Sequence, residues 1–230
     1  MVLKDDAFSS ITTAVRQGRI IFSNIRRFVV YLLSCNLSEV MVVGLAALFN
    51  QPLPLLPMQI LFLNLVTDVF PALALGMGEG DHGVMRQSPR PRREAILTAA
   101  HWWAIFAYGG LITLSVLGLF FTGLYWFRWP QQEVVTMTFM TIAFAQLWHV
   151  FNMRSRGSGW LFNDVMGNPY VWAALVLCSV LILAYLVSPL LARVLELRHL
   201  SLEQWGWVLG VSVLPYVLGQ LYLLVARRRQ

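Results

Sequence analysis

Two carboxylates stand where an apolar sequence has least reason to keep them. Asp68 lies in the run Met58 to Met77 and Glu39 in the run Phe28 to Phe49, each flanked by long aliphatic stretches. A carboxylate at the centre of a membrane-spanning helix costs about 2.5–3.5 kcal/mol on insertion scales, so it is rarely kept without a partner or a task. Asn64, Thr67 and Asp68 are spaced i, i+3 and i+4, which puts amide, hydroxyl and carboxylate on one helical face. Asn36 and Glu39 repeat the i, i+3 pairing one run earlier. Pro71 lacks an N–H and crowds the carbonyl of Thr67, which the sequence predicts to be left free beside those side chains. Carboxylates, amides, a hydroxyl and a released carbonyl are hard oxygen ligands suited to a dehydrated alkali or alkaline-earth cation. The chemistry predicted is cation binding inside a membrane, with no residue set up for covalent catalysis.

The elements that must hold these residues follow from composition. The chain has 230 residues, 58% hydrophobic and 12% charged, with a mean hydropathy of +0.65. That is too apolar for a soluble domain, and the runs reach membrane-spanning length. The expected fold is an all-α polytopic bundle of six transmembrane helices, near 28–49, 58–77, 102–127, 134–152, 170–191 and 205–226. Residues 1–27 read as a basic cytoplasmic helix entering the membrane, 28–77 as the ion-binding helix pair, 78–101 as a polar cytoplasmic loop and 102–230 as four further helices. Trp102, Trp103, Tyr125, Trp126 and Trp129 form an aromatic belt at the two ends of the third span.

Basic residues set the orientation. With both termini cytoplasmic, fourteen of the seventeen Lys and Arg residues face inward, and Arg128, Arg193 and Arg198 alone face out. The net charge of +6 is therefore a topology signal, with some affinity for acidic lipid in the cluster Arg86, Arg90, Arg92 and Arg93, and it does not indicate a nucleic-acid partner. Of the eleven acidic residues, only Glu39 and Asp68 fall at mid-membrane depth, on consecutive antiparallel helices joined by a short proline-rich hairpin. Interhelical glue is the competing explanation for the polar set, but glue rarely needs two carboxylates with no base at the same depth. Cys35 and Cys178 lie in separate apolar runs and support neither a disulfide framework nor a zinc site.

These residues also carry a resemblance. MVLKDDAFSSI at 1–11, GRIIFSNIRRFVVYLLSCNLSEV at 18–40, QILFLNLVTDVFPALALG at 59–76 and MRQSPRPRRE at 85–94 resemble the C-terminal membrane region of P-type cation-transporting ATPases, most closely calcium pumps of sarcoplasmic reticulum type and their bacterial relatives. The resemblance implies that residues 1–11 are the end of a phosphorylation domain and that the six spans are the fifth to tenth helices of a ten-helix pump, in the plasma (inner) membrane if the source is bacterial. It implies that Asn36, Glu39, Asn64, Thr67 and Asp68 are cation ligands, with Ca²⁺ as cargo. Gln146 occupies the position of a carboxylate in pumps that move two ions, which weakens a second site, and Val69 replaces a glycine.

Motifs for phosphorylation and nucleotide binding are missing from the sequence. The resemblance places ATP and Mg²⁺ in cytoplasmic domains outside it, so this chain alone is expected to be inactive. Its expected partners are the lipid bilayer, the first four helices, and the actuator, nucleotide-binding and phosphorylation domains. The start at Met1, inside a segment that continues a catalytic domain in the family, suggests a fragment or truncated gene. The rival reading is a stand-alone six-helix protein, acting as a passive cation pathway or as a non-catalytic partner of a pump.

Overall fold

The computed structural model describes residues 8–80, 83–86, 94–155 and 163–228, and every described element is helical. Residues 1–7 of the 1–11 stretch expected to end a phosphorylation domain, the arginines at 90, 92, 93 and 156, and most of the 85–94 segment lie outside the described residues. Five helical stretches are long and apolar enough to cross a membrane: Ser9–Leu48, Pro57–Gly76, Ala99–Trp126, Gln131–Met153 and Pro169–Leu186.

The first helix, α1 (Phe8–Leu48), runs 41 residues without a proline and is continuous from its basic half into the apolar run. It ends at Asn50, whose φ of 55° is a left-handed stop that asparagine tolerates. A proline-rich turn leads to α2 (Pro57–Leu63), with Pro57 at the first helical position, where its missing N–H leaves no bond unmade. Asn64–Asp68 then form one π-helical turn before α3 (Val69–Gly76).

After the loop comes α4 (Ala99–Phe121), which packs closely along α1. Gly109 permits that approach, since a Cβ there would sit 3.2 Å from the Ser34 carbonyl and from Leu37. The innermost helix is α5 (Gln131–His149), with 94% of its apolar window buried among α4, α6 and α8. A helix buried on all sides must satisfy its own polar groups. Accordingly Thr136 and Thr138 return their hydroxyls to the carbonyls four residues back, at 2.9 and 2.8 Å.

The expected fifth span, 170–191, is corrected. α6 (Pro169–Leu183) closes in a 3₁₀ turn at Ala184–Leu186, and a separate short helix, α7 (Pro189–Val194), follows. Pro189 has no N–H with which to continue the ladder, and Ser188 caps the new helix by accepting from the Leu191 amide at 3.3 Å. The last helix, α8 (Leu202–Arg228), contains Pro215 and packs on α4 and α5.

One end of the bundle is cross-linked around α1. Arg27 pairs with Asp164 at 2.6 Å and donates to Ser155 at 2.8 Å. Arg26 pairs with Glu94 at 3.1 Å and donates to the Ile96 carbonyl at 2.7 Å. Arg19 donates to the Val84 carbonyl, and Asn24 to those of Gly76 and Gly78. Consecutive arginines on one helix thus tie down two different loops.

Candidate cation site

The π turn is where the sequence pattern becomes a site. Pro71 lacks the N–H that would reach the Thr67 carbonyl four residues back, and the neighbouring Val66 carbonyl lies within the π turn. Neither remains open. The Tyr31 hydroxyl donates to the Thr67 carbonyl at 2.8 Å, and the Cys178 thiol donates to the Val66 carbonyl at 3.1 Å. The expectation of a free Thr67 carbonyl is corrected on this point: a buried acceptor is costly unless bonded, and α1 and α6 each supply a donor. Both donors escaped the sequence reading. Tyr31 could have been found, because Tyr31, Cys35 and Glu39 recur every fourth residue on one face of α1. Nothing in the sequence ties Cys178 to Val66.

The structure brings all the expected polar residues together where α1, the π turn and α5 meet. Glu39 and Asp68 are each 3% exposed. Glu39 accepts from two amides, Gln146 at 2.9 Å on one oxygen and Asn64 at 3.4 Å on the other. Asp68 accepts from Asn36 at 3.0 Å through Oδ2, while its buried Oδ1 has no hydrogen-bond partner. The Thr67 hydroxyl lies 2.7 Å from Gln146 Oε1 and 2.9 Å from the Leu63 carbonyl. Among the described residues neither carboxylate has an ion-pair partner.

Two buried acids without a base, one holding an unused oxygen, are costly to ionise, and a bound cation would stabilise their charged form. The donor set is carboxylate and amide oxygen, which matches a hard cation. Among the described residues no three His, Cys, Asp or Glu side chains gather as a metal-holding group, so a cation here would need the amide and hydroxyl oxygens beside the two carboxylates. On its outer side the cluster is open. Asn36 is exposed, and Val40, Leu61 and Leu65 around it are 70%, 60% and 64% exposed.

Gln146 stands inside the cluster, with its amide nitrogen spent on Glu39 and its oxygen facing Thr67. Its helical neighbours do other work. His149 is buried between the rings of Tyr31 and Tyr108, with centroids at 5.8 and 4.7 Å. Asn152 bonds Gln220 of α8 at 3.0 Å, against Gly219, where a Cβ would come within 2.6 Å of the Asn152 amide.

Comparison with known proteins identifies the family of the chain. Residues 52–225 match the family described as "Cation transporting ATPase, C-terminus". Calcium-transporting ATPase 1 of Bacillus cereus (strain ATCC 10987 / NRS 248) is 34% identical, over 99% of this chain and 27% of its own length. Calcium-transporting ATPase of Bacillus subtilis (strain 168) is 36% identical, over 94% of this chain and 24% of its own. Endoplasmic reticulum calcium ATPase srcA of Aspergillus fumigatus is 29% identical, over 99% and 27%. The chain thus spans about a quarter of the length of the curated relatives it matches. Its apolar helices and these relatives together make it a multi-pass integral membrane protein. The chain belongs to the family of cation-transporting ATPase C-terminal regions, and corresponds to the C-terminal membrane region of P-type calcium pumps.

Proposed function

We propose that the chain is the ion-binding membrane part of an ATP-driven P-type pump that moves Ca²⁺ out of the cytoplasm, with Asn36, Glu39, Asn64, Thr67 and Asp68 as its contribution to the cation cage. The observation that carries this reading is the unpartnered, buried Oδ1 of Asp68 beside a second buried carboxylate. Relatives named as calcium-transporting ATPases support Ca²⁺ as cargo.

In this reading α8 is the sixth span and both termini are cytoplasmic. Support comes from the clustering of Arg19, Arg26 and Arg27 with the loops near Val84, Glu94 and Asp164 at one end of the bundle, which is the inside by the positive-inside rule. Residues 1–11 are the end of a phosphorylation domain, and ATP and Mg²⁺ act in that domain and in a nucleotide-binding domain. The open face around Asn36 receives helices from the pump's first four. In a bacterium the pump resides in the plasma membrane.

The chain's own residues divide the work. Asp68 presents its spare oxygen, Asn36 fixes its other one, and Gln146 and Asn64 orient Glu39. Because Gln146 is neutral and its nitrogen is engaged, this half of the cage suits one ion. The test is cation-dependent phosphorylation by ATP in a full-length pump carrying Asp68→Asn. Cation affinity falls if Asp68 is a ligand, and an unchanged affinity removes it from the site.

A further inference from the structure

Arg193 and Arg198, two of the three arginines that break the inside bias, come together on one cavity. It measures about 720 Å³ and lies where the α1–α2 connection, the start of α5 and the segment after α7 meet. Leu53, Leu56, Val135 and Leu197 supply apolar lining, while Glu196 stands between the two arginines in sequence and also lines the space. This is the end of the bundle opposite the Arg26 and Arg27 clips, since α1 runs from one to the other.

The cavity walls are fixed by side-chain bonds. Gln59, fully buried, donates to the Leu195 carbonyl at 2.9 Å and accepts from the Leu56 amide at 3.1 Å, tying the hairpin to the segment after α7. Thr136 of α5 accepts from the Arg198 amide at 3.0 Å. Between them the backbone turns at Glu196 with φ 53°, a left-handed conformation costing roughly 1–2 kcal/mol for a residue with a Cβ. The Leu197 amide, bonded to the Ala192 carbonyl at 2.8 Å, holds that turn. The same turn keeps Arg193, Glu196 and Arg198 all on the cavity.

Among the described residues neither guanidinium nor the Glu196 carboxylate has an ion-pair partner. Tyr125 and Trp126, 62% and 81% exposed, mark the membrane boundary at this end, where Tyr125 contacts Gln51 of the hairpin. Leu190 and Val194 of α7 are exposed beside the arginines. The cavity therefore offers two cations, one anion and an apolar wall at headgroup depth.

We propose that this cavity binds an amine-bearing phospholipid of the outer leaflet, its phosphate diester held by Arg193 and Arg198, its ammonium by Glu196 and an acyl chain laid along Leu53 and Leu56. Guanidinium forks match phosphate oxygens in pairs, which a lone ammonium side chain would not do. The both-sign lining selects phosphatidylethanolamine over phosphatidylglycerol, whose headgroup gives Glu196 no cation.

The test uses the full chain in nanodiscs of mixed phosphatidylethanolamine and phosphatidylglycerol, with bound lipid quantified by native mass spectrometry. The unaltered chain should retain phosphatidylethanolamine in preference, R193Q/R198Q should lose it by at least about fivefold, and E196Q should keep lipid but lose the preference. L53E, in the apolar lining, should lower retention with both arginines kept. Equal retention by R193Q/R198Q, equal binding of the two lipids by the unaltered chain, or displacement of lipid by millimolar inorganic phosphate would each overturn the assignment.

Discussion

The two buried acids share a depth and a neighbourhood, yet their surroundings differ. Glu39 has an amide donor on each oxygen, so its orientation is fixed by the protein. Asp68 has a donor on one oxygen and none on the other. A side chain held at both ends is preorganised, and one held at a single end has coordination left to give. The contrast assigns positioning to the Glu39 side of the cluster and unfinished coordination to the Asp68 side.

The largest effect should follow from Asp68→Asn, which removes the charge and the spare oxygen together. Apparent cation affinity in a full-length pump, read from cation-dependent phosphorylation, should fall by about 100-fold or more. Gln146→Ala acts one step removed, leaving Glu39 with only the longer Asn64 contact. A hydrogen bond to a charged group is worth about 1.5–3 kcal/mol, so a loss of roughly tenfold is expected, recovered in Gln146→Asn only if the shorter amide still reaches. A loss as large as that of Asp68→Asn would mean that Gln146 ligates an ion, and the contrast between the two acids would fail.

Smaller effects concern the carbonyls of Thr67 and Val66. Tyr31→Phe removes the donor to the Thr67 carbonyl and should cost about 1 kcal/mol, seen as a Tm lowered by about 2–4 °C in detergent. Cys178→Ser keeps a donor near the Val66 carbonyl and should leave the Tm within about 1 °C. A drop in Cys178→Ser equal to that of Tyr31→Phe would show that the thiol's packing, and not its hydrogen bond, holds the π turn.

Much of the cluster was legible because membrane depth makes charge conspicuous. Asp68 and Glu39 stand out in apolar runs, and helical spacing gathers Asn64, Thr67 and Asn36 around them. The fate of these two carbonyls was not legible, because local sequence predicts that Pro71 frees that of Thr67 but not which distant side chains cover the turn. Tyr31 and Cys178 arrive from helices 36 and 112 residues away. The break before α7 had a local signal in Ser188 and Pro189, but the apolar run continues past both and hydropathy alone reads straight through. Gln146 was visible as a polar residue on α5, while its place between Glu39 and Thr67 depends on how α5 rotates against α1, which periodicity cannot fix for a helix buried all round.

The length of α1 gives the arginine clips a mechanical meaning. At about 1.5 Å per residue, Phe8 lies roughly 27 Å from Arg26 along the axis and Glu39 roughly 20 Å beyond it on the other side. A rod pinned at Arg26 and Arg27 by two loops would pivot there like a seesaw if its packing against α4 yielded. Tilting its outer tip by about 3 Å would swing Glu39 about 2 Å in the opposite direction. That swing is enough to part the 2.9 Å contact with Gln146. The fulcrum, more than the rod, then decides how much of a push on one arm reaches the carboxylate on the other.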